Sequence, residues 1–388
     1  MTGIMAQRMA EGRDLYVFFL GQDYNGSLEQ FPQALLFAVG LPVTPFVLRI
    51  PQLLMAGAAT WLMYLVGRRM FHSEARASVA AIAFAIGPYF LVWRGARSFG
   101  SYSAEMLIVL GALLLVTSER PETLRWRSAG FGVCFGLTYW LTLTGYYILI
   151  PAGLWLVARA WRDRGAVWAA VGGTALGLLP VLYWLVRYQY VPVPHHGGLA
   201  TTAWERLQNL LDPVGREFIG VAHLNGAPGW PVWFGRLTLW ALLVIAAVAI
   251  ARRWRALLDL LTLRTSRPQP FDIVLLCIPV TMAAYVGSKF AWFITEPRYL
   301  FVAYPILILG LVALIPRRRP AQTVGVVLVL LFVAAPSVTM LVSRADDVRG
   351  TLTTTTRRWS ISSRRRGTPT STRLIGRRCH SSSTGTSA

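Results

Sequence analysis

Two short stretches of the sequence place basic side chains close together, in a pattern that suits a phosphate group. The first, "RGARSFGSYSAE", contains Arg94 and Arg97, and the second, "SKFAWFITEPRYL", contains Lys289 and Arg298. A guanidinium offers a planar fork of N–H donors that matches phosphate oxygens, and an ammonium adds a compact positive charge. We therefore expect Arg97, Lys289 and Arg298 to be phosphate-binding residues.

Each charged residue in these stretches also has a simpler interpretation. Arg94 could snorkel, with its aliphatic stem along an apolar surface and its charge in water. Glu296 lies between Lys289 and Arg298, and a salt bridge to either one would only shape the loop. Glu105 could point into the protein interior or serve as an acid in the first turn of a helix. The sequence leaves these alternatives open.

A third polar stretch, "LGQDYNGSLEQFP", interrupts an otherwise apolar N-terminal region. Its amide, carboxylate and phenol groups could line a polar binding site, and Gly21 and Gly26 allow tight backbone turns. For Asp23, a polar loop that caps a membrane helix explains the residue at least as well. With two tyrosines that lie next to the basic residues, the predicted substrate-binding residues are Gln22, Asp23, Tyr24, Tyr102 and Tyr299.

The elements that position these stretches are predicted to be membrane helices. The chain has 388 residues, of which 55% are hydrophobic, and this is more apolar length than one soluble core can bury. A helix needs ~20 apolar residues to cross the hydrocarbon region, or somewhat fewer when neighbours support it. We therefore predict an all-α multi-pass membrane protein, with a bundle of about ten transmembrane helices in residues 1–342. The apolar runs are 48–67, 77–93, 103–117, 128–144, 146–158, 166–186, 235–251, 272–288, 299–315 and 321–342.

The distribution of arginine predicts how the helices are oriented. The formal net charge is +21, but the arginines cluster in every second loop and in the C-terminal tail. This is the pattern of cytoplasmic loops, and it argues against a nucleic-acid partner. In the loop 187–234, apolar residues recur at helical spacing and predict a short interfacial helix region on the outer face. The segments predicted to face outside are 1–47, 94–102, 144–146, 187–234, 289–298 and everything after 342.

Cysteine and histidine give no metal site by their own spacing. Cys134 and Cys277 lie in apolar runs and Cys379 lies in the tail, so neither a disulfide framework nor a CxxC site is indicated. His195 and His196 are adjacent and point in different directions, and no third ligand is spaced nearby. We interpret both histidines as loop residues.

Four stretches, taken in order, resemble one family. They are "GIMAQRMAEGRDLYVFFLGQDYNGSLEQFPQALLFAVG", "RIPQLLMAGAATWLMYLVGRRMF", "AIAFAIGPYFLVWRGARS" and "EPRYLFVAYP". Together they resemble the polyprenyl-phosphate-sugar-dependent glycosyltransferases of the GT-C superfamily, in the branch of the protein O-mannosyltransferases and the lipid A aminoarabinose transferases. The similarity covers about residues 3–340 and is dispersed, so the order of the stretches carries it.

The resemblance implies a fold and a function. It implies a helix bundle in a bacterial plasma membrane, with an active site at the outer face. There, a polyprenyl-phosphate-linked sugar would be transferred with inversion to a cell-envelope acceptor, which is a glycan, a lipid or a protein. The alternative function is a transporter or flippase of lipid-linked glycans, which would need acids or broken helices near the bilayer midplane.

The resemblance also assigns a role to Glu29. Family members carry an acid in this place, just before a proline-containing helix, so Glu29 is the expected catalytic residue and the expected contact to a substrate or a divalent metal ion. The family's principal acidic pair precedes the part that matches "GIMAQRMAEG", and here Met1 stands almost at that place. We therefore expect the principal acid and the first membrane helix to be encoded upstream of Met1 and this chain to be truncated, and the sequence leaves open whether the truncated chain is active.

The last residues form a separate region. Residues 343–388 are a basic mixture of threonine, arginine and serine with almost no apolar periodicity. This composition is typical of a disordered, solvated tail. A frameshift within a GC-rich gene is the other interpretation, and the nucleotide sequence distinguishes the two.

Overall fold

The structure, a computed structural model, describes most of the chain between Met1 and Thr339. The described residues are 1–97, 100–118, 120–189, 202–221, 231–264, 268–288 and 297–339. The expectations for Lys289, Glu296, His195, His196, Cys379 and the tail 343–388 lie outside these ranges. For Asp23 and Tyr24 the backbone alone is described.

The described residues are mainly α-helical, with one short antiparallel hairpin near the N-terminus. In chain order the elements are α1 (Thr2–Ala10), β1 (Phe18–Phe19), β2 (Gln22–Gly26), α2 (Gln30–Ala38), α3 (Pro45–Phe71), α4 (Glu74–Ile86), α5 (Tyr89–Gly95), α6 (Tyr102–Val116), α7 (Leu124–Leu141), α8 (Tyr146–Ala160), α9 (Arg164–Gly177), α10 (Leu179–Tyr188), α11 (Ala203–Asn209), α12 (Gly215–Phe218), α13 (Val232–Leu261), α14 (Asp272–Gly287), α15 (Tyr304–Ala313) and α16 (Arg319–Thr339). Short 3-10 or π-type turns lie at Pro121–Thr123, Leu143–Gly145, Leu210–Val214 and Arg298–Ala303.

Among the described residues, four helices are long and apolar enough to cross a membrane. They are α3, the segment Leu143–Ala160 that includes α8, α13 and α16. Two bent pairs raise the number to six if each pair is one span: α4 and α5 are bent by 71°, and α9 and α10 by 48°. The helices α6 and α14 and the segment Arg298–Ala313 are apolar but shorter. By length and composition this is an all-α membrane protein, as predicted, and four to six of the described helices or bent pairs are long enough to be spans.

The bend between α4 and α5 has a local cause. Gly87 ends α4 with a φ of 24°, which lies outside the range that residues with a Cβ prefer. Pro88 follows, and a proline has no N–H to continue the helical hydrogen bonding. Ser337 of α16 donates a hydrogen bond from Oγ to the Gly87 carbonyl at 2.6 Å. The bend is therefore held by a contact from α16, and the short helix α5, which carries Arg94, begins directly after it.

Helices α7 and α9 cross at four glycines, two on each helix with a spacing of four residues. A Cβ added at Gly132 would overlap the Ala170 carbonyl oxygen, and one at Gly136 would overlap main-chain atoms of α9. Gly173 and Gly177 are equally tight against α7. Small residues at this spacing let two membrane helices approach closely, so that their backbones contact each other directly.

Helix α6 lies inside the bundle, packed against α3, α7 and α8. Val109 and Leu113 are fully buried. At its C-terminal end, Arg127 of α7 donates hydrogen bonds to the Leu115 carbonyl at 2.8 Å and to the Val116 carbonyl at 3.4 Å. Carbonyls in the last turn of a helix have no partner within the helix, and a positive charge there also suits the helix dipole.

The hairpin of β1 and β2 packs between the N-terminal end of α6 and the C-terminal end of α7. Trp140 donates from its ring nitrogen to the Val17 carbonyl at 2.7 Å, and Ser101 donates from Oγ to the Gly26 carbonyl. A Cβ at Gly26 would lie 2.8 Å from the Trp140 carbonyl oxygen, so a glycine is required for this approach. The hairpin thus fixes the start of α2, where Glu29 lies.

Candidate active site

Glu29 binds the N-terminal end of α6. Its side chain is 1% exposed, and Oε1 accepts hydrogen bonds from the main-chain N–H groups of Ser103 at 2.6 Å and Ala104 at 3.2 Å. The Oε2 atom accepts from Nε2 of Gln52 at 3.4 Å. The first N–H groups of a helix have no partner within the helix and form an anion site. In this structure, the carboxylate of Glu29 occupies that site of α6.

The surroundings of Glu29 place its pKa near neutral pH. The residue lies before α2, outside the candidate membrane spans. Burial raises its pKa from 4.5 to about 7, against the opposing effects of the hydrogen bonds from Ala104, Ser103 and Gln52 and of the positive charge on Arg94. A carboxyl group in this range can both accept and return a proton at neutral pH, which is what a general acid or base requires.

A second buried carboxylate, Glu105, lies in the first turn of α6. It is 0% exposed and points into the bundle, so both interpretations from the sequence hold: Glu105 is an acid of the first helical turn and it faces the protein interior. It accepts hydrogen bonds from the Thr142 hydroxyl at 2.8 Å, from the Thr144 hydroxyl at 2.9 Å and from the Gly145 N–H at 2.5 Å. The charges of Glu105 and Glu29 also repel each other. Two carboxyl groups therefore flank the same helix end.

Basic and aromatic groups join these acids. Arg94 is 4% exposed, so it does not snorkel; its Cζ lies 4.8 Å from the centre of the Tyr102 ring. The positive charge of Arg94 acts on both Glu29 and Tyr102. The side chains of Arg94 and Tyr102 also form a hydrogen bond. The charge of Arg298 also acts on Tyr102. Of the residues predicted for the site, the structure therefore brings Glu29, Tyr102 and Arg298 together, and it places Arg94 and Glu105 beside them.

Other residues predicted for the site take different positions. Arg97 is exposed, and its Cζ lies 4.3 Å from the ring centre of Trp93. Gln22 is half-buried and accepts a hydrogen bond from Nδ2 of Asn25 at 2.6 Å, within β2. Tyr299 packs beside a separate apolar cluster. Of the two arginines in the first basic stretch, Arg94 is thus the one that joins the acids.

Three buried glutamines near Glu29 were not predicted as site residues from the sequence. Gln30, Gln33 and Gln52 are all fully buried, and Gln33 donates to the Leu48 carbonyl at 3.3 Å and to the Gln52 side-chain oxygen at 3.2 Å. The chain of hydrogen bonds from Leu48 continues through Gln52 to Glu29. The signal was present in the sequence, because Gln30 directly follows the acid and Gln33 follows Gln30 at helical spacing.

A metal ion does not fit the donors around Glu29. Within the described ranges, no group of three histidine, cysteine, aspartate or glutamate residues is placed to hold a metal. Both carboxylate oxygens of Glu29 face N–H donors, whose positive ends repel a cation. The arrangement instead combines a titratable carboxyl group with fixed positive charge for an anion.

Comparisons with known proteins add no relative: no family model, no curated protein and no solved structure matches the chain. The function is therefore inferred from the geometry of the site and from the sequence resemblance.

Proposed function

We propose that this protein is a membrane glycosyltransferase of the GT-C type, which transfers a sugar from a polyprenyl-phosphate donor to a cell-envelope acceptor. The observation that carries the proposal is the cluster at the N-terminal end of α6, where Glu29, Glu105, Arg94, Arg298 and Tyr102 interact. This cluster joins a group that exchanges a proton near neutral pH to groups that bind an anion. The sequence resemblance supports the same reaction.

In the proposed reaction, an oxygen of the acceptor attacks C1 of the sugar while the bond from C1 to the phosphate oxygen breaks. The acceptor loses its proton to a carboxylate, and of this chain's own residues Glu29 is best suited because its pKa is about 7. The leaving phosphate keeps the electron pair of the broken bond, and Arg94 and Arg298 stabilise its negative charge. Attack opposite the phosphate inverts the anomeric centre.

The proposal includes the position of the site in the membrane. We propose about ten membrane crossings, with the cluster at the outer face of a bacterial plasma membrane. The short apolar helices α6 and α14 and the segment Arg298–Ala313 support this number of crossings, because they would add to the longer spans. The arginine-rich loops lie at the other helix ends, as the positive-inside rule expects. The divalent metal ion expected from the resemblance has no part in the proposed reaction, because both carboxylate oxygens of Glu29 accept hydrogen bonds from N–H donors.

The test measures release of sugar from polyprenyl-phosphate carrying a radiolabelled hexose or pentose, by the full chain in lipid bilayers. Glu29→Gln keeps the size of the side chain but cannot take the acceptor proton, so the rate should fall by about 10²- to 10⁴-fold. Glu11→Gln is the control, because Glu11 is on the surface and pairs with Arg13. Undiminished turnover by Glu29→Gln would remove Glu29 from the site.

The second candidate function is a transporter or flippase of lipid-linked glycans. The specific observation in its favour is the pair of bent helices, α4 with α5 and α9 with α10, since broken helices form the binding sites of many transporters. Proteoliposomes with a fluorescent lipid-linked glycan separate the two functions. Movement of the lipid between leaflets without release of sugar would favour the flippase and contradict the glycosyltransferase.

A further inference from the structure

A cavity of about 230 Å³ lies away from Glu29, between the segment Leu210–Phe218 and the helices α13, α14 and α15. Its walls are aliphatic and aromatic side chains, including Leu211, Leu242 and Ile278, with Thr281 as a hydroxyl-bearing member. The wall formed by α13 borders the membrane, because the apolar part of that helix is mostly exposed. An apolar cavity beside lipid suits an apolar chain.

Polar groups lie next to this apolar cavity. Tyr285 follows Thr281 by one helical turn on α14, so the two residues share a face. Within the described part of the chain, the hydroxyl groups of Tyr285, Tyr304 and Thr281 are buried and have no hydrogen-bond partner. The buried carboxylate of Glu217 acts electrostatically on both tyrosines. Buried hydroxyls without a partner are costly and indicate a ligand that completes them.

The cavity and the tyrosines are contiguous. Leu210, Phe218, Met282 and Leu300 line the cavity and also belong to the apolar cluster around Tyr285. In addition, the ring of Phe218 stacks on the ring of Tyr304, with 4.6 Å between their centres. One ligand can therefore place a chain in the cavity and a head group near the tyrosines.

The charge of the polar end limits the head group. Glu217 would repel a phosphate, so this end does not suit the anionic donor, whose phosphate matches Arg94 and Arg298 instead. The hydroxyl groups of Tyr285, Tyr304 and Thr281 suit another hydroxyl group, which donates one hydrogen bond and accepts others. We propose that this pocket binds a lipid with an uncharged hydroxyl head and one apolar chain in the cavity. That this lipid is the acceptor of the sugar rests on the proposed function.

The experiment uses the full chain in phosphatidylcholine nanodiscs and a long-chain alcohol that carries a photoactivatable diazirine in its chain. A phosphate ester of the same alcohol is the matched probe. Labelling by the alcohol should map to residues of α13, α14 and α15 that line the cavity. The phosphate ester should label them roughly three- to tenfold less, because the negative charge of Glu217 disfavours a phosphate there.

Two variants and one control sharpen the result. Leu242→Trp fills the cavity and should abolish the mapped labelling, while Leu237→Trp, on the exposed part of α13 outside the cavity, should not change it. Tyr285→Phe removes one hydroxyl and should weaken labelling by the alcohol roughly three- to tenfold. Equal labelling by both probes, or full labelling of Leu242→Trp, would overturn the inference. Because the readout is binding, it is independent of whether any sugar is transferred.

Discussion

At the C-terminal end of α6, Arg127 donates hydrogen bonds to three main-chain carbonyls, whereas at the N-terminal end Glu29 accepts two from main-chain N–H groups. The three carbonyls belong to Leu115, Arg120 and Val116, at 2.8, 3.0 and 3.4 Å. Both charges are buried, and both have the sign that the helix dipole favours at that end. Each end of α6 therefore has a buried side chain whose charge opposes the partial charge of the helix dipole at that end.

The ends differ in what else their charges can do. A guanidinium does not lose its proton at any physiological pH, and that of Arg127 donates its hydrogen bonds to main-chain carbonyls. The carboxyl group of Glu29 has a pKa of about 7, and Arg94 and Glu105 both act on it. We therefore interpret Arg127 at the C-terminal end as a structural residue and Glu29 at the N-terminal end as a residue of the reaction site. The following substitutions test this distinction.

Gly173→Leu should have the largest effect, because it disturbs both ends of α6. Helix α7 brings Arg127 to one end and leads to Thr142 at the other, and a side chain at Gly173 would overlap the Ala129 carbonyl of α7. We expect a loss of about 4 kcal/mol or more in the free energy of unfolding, measured by unfolding in mixed micelles. Gly172→Leu is the control, since a Cβ at Gly172 has no atom within 4 Å. Equal stability of the two variants would contradict the close crossing.

The pH dependence of stability should come from the Glu29 end. The pKa of Glu29 is raised from 4.5 to about 7 on folding, so the folded state holds a proton that the unfolded chain releases. Stability from this group is complete below about pH 4.5 and falls by up to about 3 kcal/mol as the pH rises to about 7. The slope should disappear in Glu29→Gln, measured by unfolding at several pH values. Under the proposed function the activity changes in the opposite direction, because deprotonated Glu29 is the base.

Arg127→Leu should destabilise the protein and leave the chemistry intact. It removes the side-chain donor from the Leu115 and Arg120 carbonyls and one of two side-chain donors from the Val116 carbonyl, which should cost roughly 2–3 kcal/mol in the free energy of unfolding. Arg125→Leu removes an arginine from the same turn, but this arginine is exposed and its ion pair with Asp163 at 3.4 Å is on the surface. That control should change stability by less than about 1 kcal/mol. A loss of turnover per folded molecule in Arg127→Leu would show that the C-terminal end is more than structural.

The comparison of Arg94 with Arg97 should give the smallest effect. Arg94→Gln removes the buried charge beside Glu29 and Tyr102, and it should reduce turnover of a polyprenyl-phosphate sugar by about tenfold or more. Arg97→Gln removes an exposed charge above Trp93 and should change turnover by less than about twofold. A larger effect from Arg97→Gln would reverse the assignment made from burial. Steady-state rates for both variants in the same bilayers provide the measurement.

Part of the site could be predicted from the sequence. Glu29, Tyr102 and Arg298 stand in polar stretches that interrupt apolar runs, and such interruptions need a reason in a membrane protein. The choice between Arg94 and Arg97 could not be made in this way. Both have the same chemistry, and only the packing around α5 buries Arg94 and leaves Arg97 exposed.

The sequence by itself determined that apolar helices dominate this protein, because hydrophobic length and the positions of glycine and proline are local properties of the chain. It also determined which segments carry acids, amides and arginines. Only the tertiary structure decided that Glu29 sits on the first turn of α6, 74 residues further along the chain, and that Glu217 lies near Tyr285 and Tyr304. Burial, charge and hydrogen bonding between distant segments depend on packing, and packing leaves no periodic signal in a single sequence.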